Sequence, residues 1–379
     1  MRSSTPVPPA VRGWCPSLAE PLASRDGWLV RLPVGCRPVS SDQWRVVATL
    51  AETRGNGLVE ITRRGNLQVR GLAVRHLDRT AELLAGAGLA NRNPAADGQR
   101  AVVCDPLLDI GASPDRASAR REVVRRLEQL VVDLGDGLPA KWWAVVDGGG
   151  PWPVPTSSAD VAVVDHGSSW QVRVAGAVVA SAGDPLAILH AVAAVIRRCA
   201  DAGCRARDLP GVADGWGPMR SEPVEREAWW GIRKVGDRAV APGAPPLGVA
   251  TADALHLLAR VAEGPVSVRP EPGRGVLLVA SGEEAADAGA AELAGTLEQL
   301  AAVGWVVSPR DPRRWVSACI GSQGCPSALV DTHALARARL ADTRGRRLHI
   351  SGCPKRCGAP PGVRELVATP DGLHVEEVG

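Results

Sequence analysis

Residues 318–326, which read ACIGSQGCP, and residues 349–358, which read HISGCPKRCG, hold four of the nine cysteines of the chain. The spacing is C-x5-C followed by C-x3-C, and four thiolates in two such pairs suit either tetrahedral zinc or an iron–sulfur cluster. Zinc usually takes shorter knuckles, whereas the metal corners of a four-iron cube are far enough apart to need wider loops. The pattern therefore favours a [4Fe–4S] cluster, with zinc or unligated buried thiols as alternatives. The four predicted ligands are Cys319, Cys325, Cys353 and Cys357.

Upstream of these cysteines, the chain contains one α+β unit twice, each time in the order strand, helix, two strands, helix. In the first copy the predicted elements are a strand at 27–34, a helix at 40–52, strands at 58–62 and 66–72, and a helix at 76–87. In the second copy they are a strand at 229–235, a helix at 251–262, strands at 266–270 and 275–281, and a helix at 284–303.

Each copy is followed by an insert, and the two inserts are predicted to differ in kind. The expected organisation is a disordered leader at 1–12 followed by four segments. These segments are a first half-domain at 13–91, a first lobe at 92–210, a second half-domain at 211–308 and a cluster-bearing lobe at 309–379.

Composition narrows the class of protein. Of 379 residues 45% are hydrophobic, and 44 Lys and Arg stand against 41 Asp and Glu, a formal charge of +3. Such a balance argues against a nucleic-acid-binding or polybasic membrane protein but leaves a small anionic substrate open. The sequence has no apolar run of the roughly 20 residues a membrane helix needs. A cytoplasmic protein is expected, in which clustered cysteines are metal or redox ligands and not disulfides.

The two cysteine pairs behind a duplicated half-domain resemble the nitrite/sulfite reductase superfamily, over nearly the whole chain after the leader. The resemblance implies an α+β fold with a pseudo-twofold repeat: two ferredoxin-like half-domains pair into one domain, and two α/β lobes surround a central cleft. It also implies a [4Fe–4S] cluster on the four cysteines. Cys357 would bridge to siroheme iron where siroheme is bound.

Three further stretches resemble elements that bind tetrapyrrole carboxylates in this superfamily. Residues 62–71, TRRGNLQVRG, are similar to its arginine loop, 99–103 to a strand with a second arginine, and 138–141, LPAK, to its LP-x-K element. Guanidinium groups suit the task because their planar fork binds a carboxylate through two hydrogen bonds. The implied substrate-binding residues are Arg64, Arg70, Arg100 and Lys141, and Arg64 and Lys141 are also the implied catalytic residues.

One departure narrows the choice within the superfamily. Sulfite reductases place a second anion-binding lysine two residues after the first, where this chain has Trp143. Residues 138–150 and 348–361 most resemble the precorrin-3B synthase family. That resemblance implies an O2-dependent monooxygenase that hydroxylates precorrin-3A at C20 and closes a lactone in aerobic cobalamin biosynthesis.

The same resemblance implies a mononuclear non-haem iron and an electron donor as well as the cluster. His333 and His349 lie near the predicted cluster, but neither has a partner at the spacing of a facial triad, so no iron ligands are assigned. Two alternatives stay open: a siroheme-dependent nitrite or sulfite reductase, and a non-catalytic iron–sulfur or zinc protein that binds tetrapyrrole.

Overall fold

The computed structural model describes residues 16–91, 97, 102–134, 137–139, 141–152, 154–209, 229–280, 286–343, 345–360 and 362–376. The predicted leader and Arg100 lie outside the described residues. Seven α-helices fall within these ranges: α1 (Ser41–Arg54), α2 (Leu77–Gly86), α3 (Pro114–Leu134), α4 (Pro185–Ala202), α5 (Ala252–Val261), α6 (Ala286–Ala302) and α7 (Thr332–Ala338).

The strands of the described residues form four sheets. They are β1 (Leu22–Ser24), β2 (Gly27–Leu32), β3 (Leu58–Ile61), β4 (Leu67–Leu72), β5 (Val102–Cys104), β6 (Ala144–Asp147), β7 (Val161–Asp165), β8 (Trp170–Val174), β9 (Ala177–Ala182), β10 (Arg233–Val235), β11 (Arg238–Gly243), β12 (Val249–Thr251), β13 (Val266–Glu271), β14 (Gly275–Ala280), β15 (Val316–Ala318), β16 (Leu348–Ser351), β17 (Arg364–Thr369) and β18 (Gly372–Glu376).

The predicted repeat is present as two antiparallel sheets with the same internal order. The first sheet runs β1-β2-β4-β3-β12 and the second β10-β11-β14-β13. In each, β2 or its counterpart β11 pairs with the second strand of the hairpin that follows the unit's first helix. Helix α1 begins after Ser40, which forms a capping box with Gln43.

One strand of the second unit differs from its prediction. The segment 229–235 contributes only the short edge strand β10, and the strand that matches β2 is β11, which the sequence did not indicate. Strand β11 ends in Pro242 and Gly243, two residues that are typical of a turn. Proline has no N–H to donate to a neighbouring strand. Pro242 is tolerated in β11 because β10 pairs with β11 only up to Val240, so no strand lies opposite the missing N–H.

Each half-domain also contributes backbone to the sheet of the other. Strand β12 pairs with β3, with Val249 opposite Glu60, and Val39 forms a bridge with Val268 of β13. Helices α1 and α5 pack together over both sheets, and their buried Trp44 and Leu255 share one hydrophobic core. The half-domains therefore form one domain about a pseudo-twofold axis, as the resemblance implied.

The two lobes have a common topology, which corrects the expectation that the inserts differ in kind. In the first lobe β5, β6 and β7 are parallel and β8 is antiparallel to β7; in the second β15, β16 and β17 are parallel and β18 is antiparallel to β17. The first crossover contains the 21-residue helix α3 and the second the seven-residue α7. Because the two crossover helices differ so much in length, the shared strand topology could not be recognised from the sequence.

Within the described residues, no helix is both long enough and apolar enough to cross a membrane.

Candidate functional site

The four predicted ligands lie on two loops at the carboxyl ends of the adjacent parallel strands β15 and β16. Cys319 directly follows β15, and its N–H donates to the carbonyl of Ile350 at 3.0 Å. Gly352 follows β16, and its N–H donates to Sγ of Cys319 at 3.2 Å. The strand order thus brings two cysteine pairs that are distant in the sequence onto one edge of the sheet.

Electrostatics connects the four thiols. Desolvation raises the pKa of Cys357, the charges of the other three cysteines raise it further, and Lys141 lowers it. Burial likewise raises the pKa of Cys353, and Cys325 and Cys319 add to the effect. The sulfurs therefore share one neighbourhood, in which thiolates need a positive partner. Among the described residues no three His, Cys, Asp or Glu side chains are arranged to hold a single metal ion.

Glycines allow the cysteine loops to pack closely. Gly321 has φ +66°, and a Cβ there would lie 2.5 Å from Oγ1 of Thr332. That hydroxyl donates to the carbonyl of Cys319 at 2.5 Å. A Cβ on Gly352 would lie 2.8 Å from Cβ of Ala328. Larger residues at either position would push the loops away from one another.

Arg70 ties the first half-domain to the cysteine loops. It is buried, and its Nε and Nη2 donate to the carboxylate of Asp26 at 2.9 and 3.0 Å. Nη2 also donates to the carbonyl of Gly324 at 3.0 Å, next to Cys325. These bonds give Arg70 a positioning role, and its contact with substrate stays a prediction.

Arg64 and Lys141 lie near the cysteine loops. Cζ of Arg64, in the turn between β3 and β4, is 4.5 Å from the centroid of the Trp143 ring. Trp143 directly precedes β6, is buried, and donates from Nε1 to the carbonyl of Ser158 at 3.1 Å. Lys141 is exposed, and its charge acts on Cys357. From the sequence, Arg64, Lys141 and Cys357 are predicted to border one cleft, and we call the site of these residues and Trp143 the main cleft.

Two arginines that the sequence analysis did not select also contact the cysteine loops. Arg63 donates from Nη1 to the carbonyl of Ala359, just after Cys357. Arg274, in the turn between β13 and β14, donates from Nη1 to the carbonyl of Ala318 at 2.6 Å. The sequence signal for Arg274 was an Arg-Gly pair in the hairpin turn of each repeat, at 64–65 and at 274–275, although the strand pairing places the second pair one position further along its turn.

The histidines near the cysteine loops carry little charge. His349 is fully buried, and its Nδ1 lies 2.8 Å from Oγ of Ser317. Burial, together with the charges of Arg274, Arg63 and Arg356, lowers its pKa to about 3. Burial also lowers the pKa of His333. Both imidazoles are therefore neutral near pH 7, and the structure adds no iron ligand to the sequence analysis.

The first lobe lacks thiols at the equivalent positions. The N–H of Asp105 donates to the carbonyl of Val146 at 2.9 Å, as that of Cys319 donates to Ile350. Asp105 thus occupies the place of Cys319, and Gly149 that of Cys353. Cys104 is one residue too early, and burial raises its pKa to about 12. Among the described residues, cysteines therefore follow β15 and β16 in the second lobe, whereas Asp105 and Gly149 stand at the matching positions of the first lobe.

Comparison with known proteins shows which family and which proteins this chain resembles. Residues 22–87 match the model of the nitrite/sulfite reductase ferredoxin-like half domain. A precorrin-3B synthase from Sinorhizobium sp. is 31% identical, over 95% of this chain and 82% of that protein. A ferredoxin–nitrite reductase from Synechococcus elongatus is 25% identical, over 92% of this chain and 78% of that protein.

Among solved structures, the NirA protein of Mycobacterium tuberculosis superimposes with a TM-score of 0.69. It is 19% identical, and the match covers 92% of this chain and 74% of NirA. That likeness confirms the fold that the resemblance implied. The extent and identity of the sequence match show that the chain belongs to the precorrin-3B synthase family, within the nitrite/sulfite reductase superfamily.

Proposed function

We propose that the chain is a monooxygenase that hydroxylates precorrin-3A at C20 and forms the lactone of precorrin-3B in aerobic cobalamin biosynthesis. One atom of O2 enters the product, and the other leaves as water with two electrons and two protons. The observation that carries the proposal is the stack of Arg64 on Trp143 beside the cysteine loops, in a family whose relative at 31% identity is a precorrin-3B synthase.

The residues of the main cleft suit a polycarboxylate substrate. The buried Trp143 ring holds the Arg64 guanidinium against its face, and Arg64 and Lys141 supply cations for the substrate's carboxylates. Trp143 is held in place by its bond to Ser158 and by Asp160, whose carboxylate accepts its backbone N–H at 3.0 Å. Arg100, which is outside the described residues, is proposed as a further carboxylate ligand.

The cysteine loops fit a [4Fe–4S] cluster better than zinc. Four thiols on two loops share one electrostatic neighbourhood, and the C-x5-C and C-x3-C spacings are wider than the usual zinc knuckles. The N–H of Gly352 already points at Sγ of Cys319, as expected around a cluster sulfur. When bound, such a cluster supplies single electrons, and a mononuclear iron supplies O2 activation. The chain's part is to hold the thiolates and to orient the substrate.

A siroheme-dependent nitrite reductase is the second candidate, because ferredoxin–nitrite reductases match at 25% identity. Oxyanion reduction requires fixed cations around the developing charge, and losing one such donor typically costs about 10²–10³ in turnover. By the resemblance to sulfite reductases, Trp143 stands where those enzymes have one such cation. This substitution favours the monooxygenase.

The test is a single turnover. The purified protein, with iron and acid-labile sulfide measured, is reduced anaerobically with stoichiometric dithionite, mixed with precorrin-3A, and exposed to ¹⁸O2. We expect mass spectrometry to find one gas-derived oxygen atom in the tetrapyrrole, and we expect no siroheme spectrum. A control with unlabelled O2 in H2¹⁸O identifies exchange with water. Product without label from the gas, or rapid turnover of sulfite or nitrite, would transfer the assignment to the siroheme enzymes. No turnover by protein with full metal content would favour a carrier.

A further inference from the structure

A cavity of about 150 Å³ lies between the second antiparallel sheet and the second lobe. It is lined by the turn before β14, by the chain around β15 and by Trp152 of the first lobe. None of the four cysteines is among the described residues that line it. We call it the second cavity, and the main cleft does not account for it.

The pseudo-twofold repeat relates the second cavity to the main cleft. The main cleft is built from the turn between β3 and β4, the residue that precedes β6, and the loop that follows β16. The second cavity is built from the turn between β13 and β14, the residue that precedes β16, and the loop that follows β6. The turn supplies Arg274, the residue that precedes β16 is Arg347, and the loop that follows β6 supplies Trp152.

Backbone conformation supports the equivalence of the two turns. The strand pairs Ile61 with Leu67 and Pro270 with Val276 each enclose five residues, and in the second hairpin Glu271 and Gly275 pair as well. Gly65 has φ +60°, and the residue at its place, Arg274, has φ +69°. A non-glycine residue in this conformation is costly, at about 1–2 kcal/mol. The chain therefore keeps an arginine at Arg274 where its own repeat has glycine.

The lining is cationic and aromatic. Five arginines line the second cavity, and Glu271 is the single acidic residue among the described lining residues. Those arginines are Arg63, Arg274, Arg313, Arg314 and Arg347. Three indoles complete the walls, and Cζ of Arg314 lies 3.9 Å from the centroid of the Trp315 ring.

Arg274 supplies a donor with no acceptor. Its Nη1 serves the carbonyl of Ala318, but its Nε is buried and has no hydrogen-bond partner among the described residues. A buried donor without an acceptor costs about 1–3 kcal/mol, which an acceptor on a ligand would recover. Arg313, in contrast, is paired with Asp311 and is already neutralised.

From this geometry we propose that the second cavity binds a small polyanion through its carboxylate or phosphate groups, with Arg274 and Arg347 as ligands. The indoles would pack against the carbon skeleton or the unsubstituted face of the anion. The volume suits a molecule with a few carboxylates or phosphates and is too small for a whole tetrapyrrole, since pockets for drug-sized ligands span about 300–1,000 Å³. This proposal does not depend on the proposed reaction, because binding requires no turnover.

The experiment titrates the intact, metal-loaded protein with citrate and, in a separate arm, with pyrophosphate. Calorimetry and tryptophan fluorescence should show saturable binding of one of them, weakened by added salt. Arg347→Gln should weaken it about tenfold or more, the effect of losing one charge-assisted bond. Trp315→Leu should abolish the fluorescence change at the cavity. The matched control is Arg337→Gln, an exposed arginine of α7.

Two further results decide the proposal. Arg64→Gln, in the main cleft, should leave citrate or pyrophosphate binding unchanged. Loss of binding in Arg64→Gln with retention in Arg347→Gln would put the anion in the main cleft and overturn the proposal. Absence of saturable binding in both arms would overturn it as well. A preference between the two anions identifies carboxylate or phosphate as the natural ligand group.

Discussion

Cζ of Arg64 lies 4.5 Å from the centroid of the Trp143 ring, although the two residues are 79 positions apart. A guanidinium over an indole is stabilised by about 0.5–2 kcal/mol, more where water is excluded. Trp143 is itself fixed by bonds to Ser158 and Asp160. The contact therefore holds a cation over an immobile aromatic surface, at the edge of the loops that carry the cysteines.

Replacing Arg64 should affect ligand binding and spare the metal centre. We expect Arg64→Ala to weaken precorrin-3A binding by roughly 1.5–3 kcal/mol, because one charge-assisted bond is lost. The visible spectrum of the metal centre should not change. Binding is measured by fluorescence titration under anaerobic conditions, with Arg79→Ala, an exposed arginine of α2, as the control. A dissociation constant equal to that of the unmodified protein would remove Arg64 from the binding site.

We expect Arg70 to hold the cysteine loop in position and not to bind the substrate directly. Burial lowers its pKa, but Glu60 and Asp26 more than offset this, so the pKa is raised and the guanidinium stays charged. Breaking a buried ion pair costs about 3–5 kcal/mol because a partner is left uncompensated. Arg70→Ala should thus lower the free energy of unfolding by that amount and reduce iron retention through the loop at Gly324.

Arg70→Lys gives the matched comparison, because it keeps the charge and loses the fork that spans Asp26 and Gly324. We expect an intermediate loss of stability, measured by urea unfolding. If instead both variants retained full stability and iron while precorrin-3A binding fell, Arg70 would be a direct ligand.

The sequence predicted well what depends on local chemistry. Hydrophobic patterning located both copies of the repeat apart from β11, and cysteine spacing predicted a shared site for the loops at Cys319 and Cys353, which follow the adjacent strands β15 and β16. The sequence did not reveal that the two lobes share a topology, because their crossovers differ in helical content and the lobes are alike in strand order alone. The sequence also did not distinguish the role of Arg70 from that of Arg64, because both lie in the motif at 62–71. The fold shows that Arg70 contacts Asp26 and that Arg64 contacts Trp143.

Gly321 should be intolerant of substitution. Its φ of +66° disfavours any Cβ, and the Cβ would also approach the backbone N of Thr332 to 2.7 Å. We expect Gly321→Ala to destabilise the protein by about 1–3 kcal/mol and to lower iron content, because the loop after β15 must move. Gly295→Ala in α6 is the control: no atom lies within 4 Å, and alanine there should be neutral or stabilising by up to about 1 kcal/mol. Equal effects of the two substitutions would contradict a packing role for Gly321.

Asp105 should make stability fall as pH rises. Burial raises its pKa to about 7, the N–H of Leu107 opposes this, and Asp147 adds to it. The folded protein thus holds a proton that the unfolded chain releases near its ordinary pKa of 3.8. Between about pH 4 and 7 this group costs up to ~1.4 kcal/mol of stability per pH unit.

Asp105→Asn removes this titration and keeps an oxygen that can accept from Leu107. Urea unfolding of the variant between pH 5 and 8 should show a less negative slope of stability against pH than the unmodified chain. Asp133→Asn, at an exposed position of α3, should leave the slope as it is. Identical slopes in Asp105→Asn and the unmodified chain would show that Asp105 is already ionised in the folded state.

The cysteines give the sharpest comparison within one chain. Cys353 lies in the loop after β16, where its pKa responds to Cys325 and Cys319, whereas Cys204 follows α4 in the other lobe. If four thiolates hold one iron–sulfur cluster, Cys353→Ser should lose most iron and acid-labile sulfide after anaerobic purification, because a hydroxyl binds iron less well than a thiolate. Cys204→Ser should keep both. Zinc in place of iron in the unmodified protein would favour the zinc alternative, and full iron and sulfide in Cys353→Ser would show that this thiol is not a ligand.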